Sequence, residues 1–411
     1  MDHTFQGTKS TTTVFSMFAL SMLWALAAGC NSDDESTDTA EALANRAYVI
    51  SENSDDLFIV DLRTMTEVAK IDTNIGVGIN RNHMAVLSQD GSKLYLTATH
   101  HSAIAVVDTI ELEVAKIIPI GAHPSHANAC FACGPNSRDE LWVVNEDSGS
   151  VSVIDMERDQ VVDTVAHPSM MVPHFVRFAN GSAYVPSIGG NQITVIDLAS
   201  RQVSDVLLAD GATAAGLCSA DPCGFADAQI DGNGILSAAH IESGNVLLYD
   251  TRTKQRLSDL DIGNQPWAVF VDPLSNEFDT HLMPNWGDST VSIIDRVSRT
   301  EIARSTAGDI ESYGVNYSPL APGQAFVLNR MQERVSVVDR TNGSLIGSIN
   351  VGGTTETAST TADGRYLLLP LSSANAFAVV DIATRQEVAR FDDVGVYPWS
   401  VTTVRGQNYC H

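Results

Sequence analysis

The stretch LFIVD at 57–61 returns as IAVVD (104–108), VSVID (151–155), ITVID (193–197), VLLYD (246–250), VSIID (291–295), VSVVD (335–339) and FAVVD (377–381). Each copy is a short apolar run ending in Asp, and the copies recur at 42 to 53 residues. Repetition at this period marks a propeller or a solenoid. A second apolar run precedes each copy: AYVIS (47–51), LYLTA (94–98), LWVVN (141–145), AYVPS (183–187), ILSAA (235–239), HLMPN (281–285), AFVLN (325–329) and YLLLP (366–370). After the Asp, a turn leads to a third run such as EVAKIIPI (113–120). A fourth follows a loop and ends at turns such as SQDG (88–91) and TADG (361–364).

Four short strands per unit, punctuated by Gly, Asn and Asp, describe one antiparallel propeller blade. Eight units predict an all-β, eight-bladed β-propeller. Seven blades is the alternative if the long unit near 198–240 is irregular. The chain ends support closure. The first unit opens on AYVIS and lacks the strand that should come before it. The last unit carries an extra run, PWSVTTV (398–404), that can complete the first blade. Such a closure removes open sheet edges. The Asp ending each copy is expected to be a turn former, since eight equivalent copies point to structure rather than catalysis.

The phrases AYVISENSDDLFIVD (47–61), LWVVNEDSGSVSVID (141–155) and AFVLNRMQERVSVVD (325–339) resemble the YVTN-type repeat. The resemblance covers almost all of 46–404 and looks like the YVTN/YncE-like propeller family of bacterial and archaeal surfaces and periplasms. More distantly, the chain is similar to eight-bladed propellers that hold haem d1. The resemblance is specific for fold and implies no single activity.

The 411 residues carry 50 acidic and 24 basic side chains, a formal charge of −26. A surface this acidic repels phosphate backbones and argues against nucleic-acid binding. Residues 11–28, TTTVFSMFALSMLWALAA, form an apolar stretch behind Lys9 and read as an export signal. Leu26-Ala27-Ala28-Gly29-Cys30 resembles a lipobox, departing from it in placing Ala27 where Leu is usual. The expected division is a lipoprotein signal over 1–29, an acidic disordered tether over 30–44 and the propeller over 45–411. Cys30 would be the lipidated residue, and the membrane is reached through that anchor. A plain secretory signal and an uncleaved anchor are the other readings. Each puts the domain outside the cytoplasm, in the periplasm or on the cell surface. The propeller itself is expected to be monomeric.

Six cysteines fit an oxidising compartment. Beyond Cys30, the disulfide candidates are Cys218 and Cys223 in LCSADPC, Cys130 and Cys133 in ACFACG, and Cys410, which falls on the same face as the CFAC pair. Gly134 follows Cys133, so the CxxCH of covalent c-type haem is absent.

The loops entering the innermost strands line the channel mouth. Three of them, RNHMAVL (81–87), HPSHANAC (123–130) and VPHFVRF (172–178), place His83, His126 and His174 at one register. Three imidazoles on adjacent inner strands suit copper or zinc, with His123 as a fourth ligand or support. Shared ancestry of the repeats, or an anion held by protonated imidazoles, explains the same pattern. Met84, Met170 and Met171 flank two of these histidines and tilt the choice toward copper. Trp267 and Trp399 stand near the same register, and His100 and His101 lie in a loop toward the same mouth.

No nucleophile elbow, phosphate loop or HExxH motif occurs. The sequence therefore implies a binding or scaffolding module of the envelope, taking a small ligand or a partner protein at the channel mouth. The alternative is a metal-binding redox or tetrapyrrole-handling propeller built on the histidines.

Overall fold

Each repeat's terminal Asp folds the turn that follows it. Asp61 Oδ1 accepts from the backbone N–H of Arg63 at 2.8 Å, and Asp108 from Ile110 at 2.8 Å. Asp155, Asp250 and Asp339 accept the same bond from the N–H of Glu157, Arg252 and Thr341, and Asp197, Asp295 and Asp381 accept from the N–H one residue further on, of Ser200, Ser298 and Thr384. Four residues after each Asp the backbone turns left-handed, at Met65, Leu112, Asp159, Arg201, Lys254, Arg299, Gly343 and Arg385. Only one of these is glycine, so the carboxylate bonds hold a conformation that seven side chains resist.

The computed structural model describes residues 39–219, 222–272, 280–306 and 312–409. The sheets form eight blades. Blade 2 runs from its inner strand Asn82–Leu87 through Lys93–Ala98 and Ala103–Asp108 to the outer strand Glu113–Pro119. Blades 3, 4, 5, 7 and 8 repeat this order, with inner strands at Pro124–Cys130, Arg177–Ala179, Gln229–Ile230, Ser312–Asn316 and Ala358–Thr360. In blade 6 the inner run is joined to Thr280–Asn285 by single bridges at Pro266 and Phe270. Eight blades exclude the seven-blade alternative. The long unit closes a complete blade 5 (Gln229–Asp261), and its insertion carries the Cys218–Cys223 disulfide.

Blade 1 is closed by the far end of the chain. Pro398–Thr403 pairs antiparallel with Arg46–Ser51, matching Val49 to Val401 and Ala47 to Thr403. A further short strand, Gln407–Tyr409, pairs with the inner strand of blade 8 and makes that sheet five-stranded. Residues 39–44, at the end of the expected tether, form a helical turn in which Leu43 is buried. Ordered structure thus begins before residue 45, because Leu43 has an apolar surface to cover. Residues 1–38, with the expected signal and Cys30, and also Cys410 lie outside the described residues.

The apolar core is a series of layers between blades. Tyr48, Ile50, Leu57 and Ile59 of blade 1 meet Leu94 and Leu96 of blade 2. Val49 and Phe58 of blade 1 meet Leu368 and Phe377 of blade 8 on the other side. Central strands are buried on both faces, as in Leu141–Val144, while outer strands such as Glu113–Pro119 alternate toward solvent. Inner strands start at one face of the ring, here called upper, and end at the lower face.

Val401 is buried in the closing strand, within its ladder to blade 1. Val401→Pro is expected to destabilise the protein by about 3 kcal/mol or more. Thermal unfolding should show the loss as one cooperative transition, because no blade is stable without both neighbours.

Candidate functional site

The inner strands of blades 2 and 3 both break register where they enter the channel mouth. The shift lies between Asn82 and Ala85 in one and between Pro124 and Ala127 in the other. A bulge re-aims side chains, and the residues concerned include His83 and His126. In blade 4, His174 precedes the inner strand and is fixed by its N–H to the Pro186 carbonyl at 3.0 Å. The three imidazoles form a row, with ring centres 4.7 Å apart from His83 to His126 and 4.3 Å from His126 to His174.

Glu146 completes the group. It follows the second strand of blade 3, and its N–H bonds the His123 carbonyl at 3.0 Å. One ligand atom each from His126, Glu146 and His174 lie within 4.8 Å of one another. Two imidazoles and a carboxylate are a common zinc donor set that leaves a coordination position open. The His174 ring is oriented by its second nitrogen, as Nδ1 lies 2.9 Å from the Ala226 carbonyl. An N–H at Nδ1 leaves Nε2 as the acceptor on the side of Glu146, 3.7 Å away. Burial lowers the His174 pKa from its ordinary value, against the pull of Glu146, and keeps the ring in its neutral, ligating form.

His83 stands at the edge of this group. Its Nδ1 is 3.1 Å from Glu52, which also accepts from Arg81 Nε at 3.2 Å. Burial works to raise the Glu52 carboxyl, but the His83 and Arg81 contacts outweigh it and hold the group below its usual range. His123 sits between Glu146 and Asp147, 3.6 Å from each. All of these except His126 and Asp147 line a pocket of about 210 Å³. Ser125 lines it too, and its buried Oγ makes no hydrogen bond among the described residues.

The opposite side of the mouth is aromatic. Trp267 stacks on Trp286 at 4.1 Å, Tyr313 lies 5.2 Å from Trp267, and Trp399 links this wall to His83 at 5.1 Å. Arg330 lies over Tyr313 and 3.6 Å from the buried Glu356. Burial raises the Glu356 carboxyl above its usual range despite Arg330 and the Tyr397 hydroxyl at 2.9 Å. Its Oε2 has no hydrogen-bond donor among the described residues.

His100 is exposed in the short turn Thr99–His101, and His101 packs over Gly76, so neither belongs to the pocket. The Met84 sulfur accepts from the Ala127 N–H at 3.4 Å, and Met170 is buried in an interblade layer. Cys130 and Cys133 are joined to each other at the lower end of the blade 3 inner strand. The two acids, Glu52 and Glu146, were not singled out in the sequence. Their signal was their shared position one residue beyond the second strand, in VISENS and VVNEDS.

No protein-family model and no curated protein matches this chain. Solved structures do. The dihydro-haem d1 dehydrogenase NirN in complex with DHE aligns over 88% of this chain and 76% of its own, at 15% identity and TM-score 0.69. Apo AztD from Citrobacter koseri aligns over 87% and 96%, at 12% identity and TM-score 0.60. The computationally designed Ika8 protein aligns over 82% and 93%, at 13% identity and TM-score 0.60. At these identities the likeness is one of fold, and the class it supports is the β-propeller.

The Glu356 carboxyl holds its proton to higher pH when folded than when unfolded. It therefore contributes stability near and below its ordinary value of 4.5 that is lost as pH rises through its folded value. Glu356→Gln should flatten that decline, seen as a smaller drop in melting temperature between pH 4.5 and neutrality.

Proposed function

We propose that this chain is a binding propeller whose channel mouth takes up one divalent transition-metal ion, with His126, His174 and Glu146 as ligands. The observation that carries this reading is the convergence of those three ligand atoms within 4.8 Å. His83 and His123 border the same pocket and would complete the shell or admit a further ligand. The donors are nitrogen and oxygen, and the Met84 thioether is turned to a backbone N–H. This favours zinc or copper(II) over copper(I).

The test is metal analysis of the purified full chain after zinc or copper loading. One ion per chain is expected, with loss in His126→Ala/His174→Ala and at least about tenfold weaker binding in Glu146→Gln. A chain that takes up no metal, or a double variant that keeps it, overturns the assignment.

A second reading, a planar ligand such as a tetrapyrrole, rests on the aromatic arc at the mouth, where the half-buried Trp286 stacks on the buried Trp267 beside Tyr313. Visible absorption of the protein as purified separates the two. The resemblance to YVTN-type propellers and the lipobox-like run ending at Cys30 support an exported, lipid-anchored envelope protein. Incorporation of labelled palmitate, abolished by Cys30→Ser, is the expected result, and incorporation surviving that change rules the anchor out.

A further inference from the structure

The lower half of the channel holds a second cavity, of about 410 Å³, within the range of small-ligand sites. It shares no lining residue with the histidine pocket. Its walls are the inner strands of blades 1 to 3, Arg177 at the start of the blade 4 inner strand, and the turn Val404–Gly406. Val86, Phe131 and Val404 give it an apolar side.

Its charged lining is the unusual feature. Acidic residues outnumber basic ones by 50 to 24 in this chain, yet among the described residues the cavity is lined by two arginines and no carboxylate. Arg177 gives Nε and Nη2 to Asp227, at 3.2 and 2.6 Å. Asp227 is 1% exposed and outside the lining, and it takes the Nε–Nη2 edge of the guanidinium, so Nη1 is the nitrogen with no hydrogen bond among the described residues. Arg405, in the turn after the closing strand, is exposed and has no ion-pair partner among the described residues. Asn128 adds a neutral polar group to the same wall, with its amide nitrogen bonded to the Val176 carbonyl at 3.2 Å.

An apolar chamber with two guanidiniums matches one chemistry. We infer that the lower channel is a binding site for a small organic carboxylate with an apolar body, such as a medium-chain monocarboxylate. The carboxylate takes the guanidinium hydrogen bonds and the hydrocarbon lies against Val86, Phe131 and Val404. A cationic or neutral ligand of the same shape leaves Arg405 without a counter-charge and Arg177 with only its Asp227 pair.

The experiment is calorimetric titration of the full chain with octanoate, octylamine and 1-octanol as matched probes. Octanoate should bind one per chain. Arg405→Ala and Arg177→Lys, the second of which keeps a cation beside Asp227, should each weaken it about tenfold or more while circular dichroism stays unchanged. His126→Ala/His174→Ala should leave octanoate binding intact. The proposal is overturned if octylamine or 1-octanol binds as tightly as octanoate, or if folded arginine variants keep wild-type affinity. It is also overturned if the histidine variant loses octanoate, which would place the carboxylate at the upper centre.

Discussion

The antiparallel ladder between Arg46–Ser51 and Pro398–Thr403 is the constraint on which the rest depends. Most apolar clusters here lie between two neighbouring blades, and one runs across several blades around the channel, so no sheet covers both of its own faces. An open ring would expose the blade 1 layer, with Val49 and Phe58, and the blade 8 layer, with Leu368 and Phe377, together. Joining the ends of the sequence within one sheet makes the last layer as good as the others. It also fixes the radius of the channel, and with it the separation of inner strands that brings His83, His126 and His174 into one row.

That geometry places two chemistries face to face at the mouth. One arc carries imidazoles and the carboxylates of Glu52 and Glu146. The other carries stacked indoles and Tyr313, with the Arg330–Glu356 pair beside them. Trp399 touches both arcs, since it lies 5.1 Å from His83 and 6.1 Å from Tyr313. The closing strand therefore supplies a side chain to the site as well as the last strand of the ring.

The fold was legible because its signal is repeated. Eight Asp-ended runs average out the irregularities of any one, and each Asp does the same local job in the turn. The weak points of the pattern were blades 5 and 6, where a two-residue inner strand and isolated bridges carry little periodicity. The histidine register was legible for the same reason as the fold. What it could not show was that bulges in two inner strands and a residue outside any strand, Glu146, decide which donors converge. Nor could it show that His100 and His101 turn away, because a short 3₁₀ turn sets their direction. Spacing along the chain reports register, whereas convergence depends on local backbone rotation.

The direction of the first strand has one more consequence. Arg46 pairs with Asp61 and lies beside Thr403 at the lower face, while Glu52, just past the other end of that strand, lines the upper mouth. The N-terminal segment thus joins the ring from below. The histidine and tryptophan face therefore lies on the side of the ring opposite that entry, and the arginine-lined chamber lies on the same side as it.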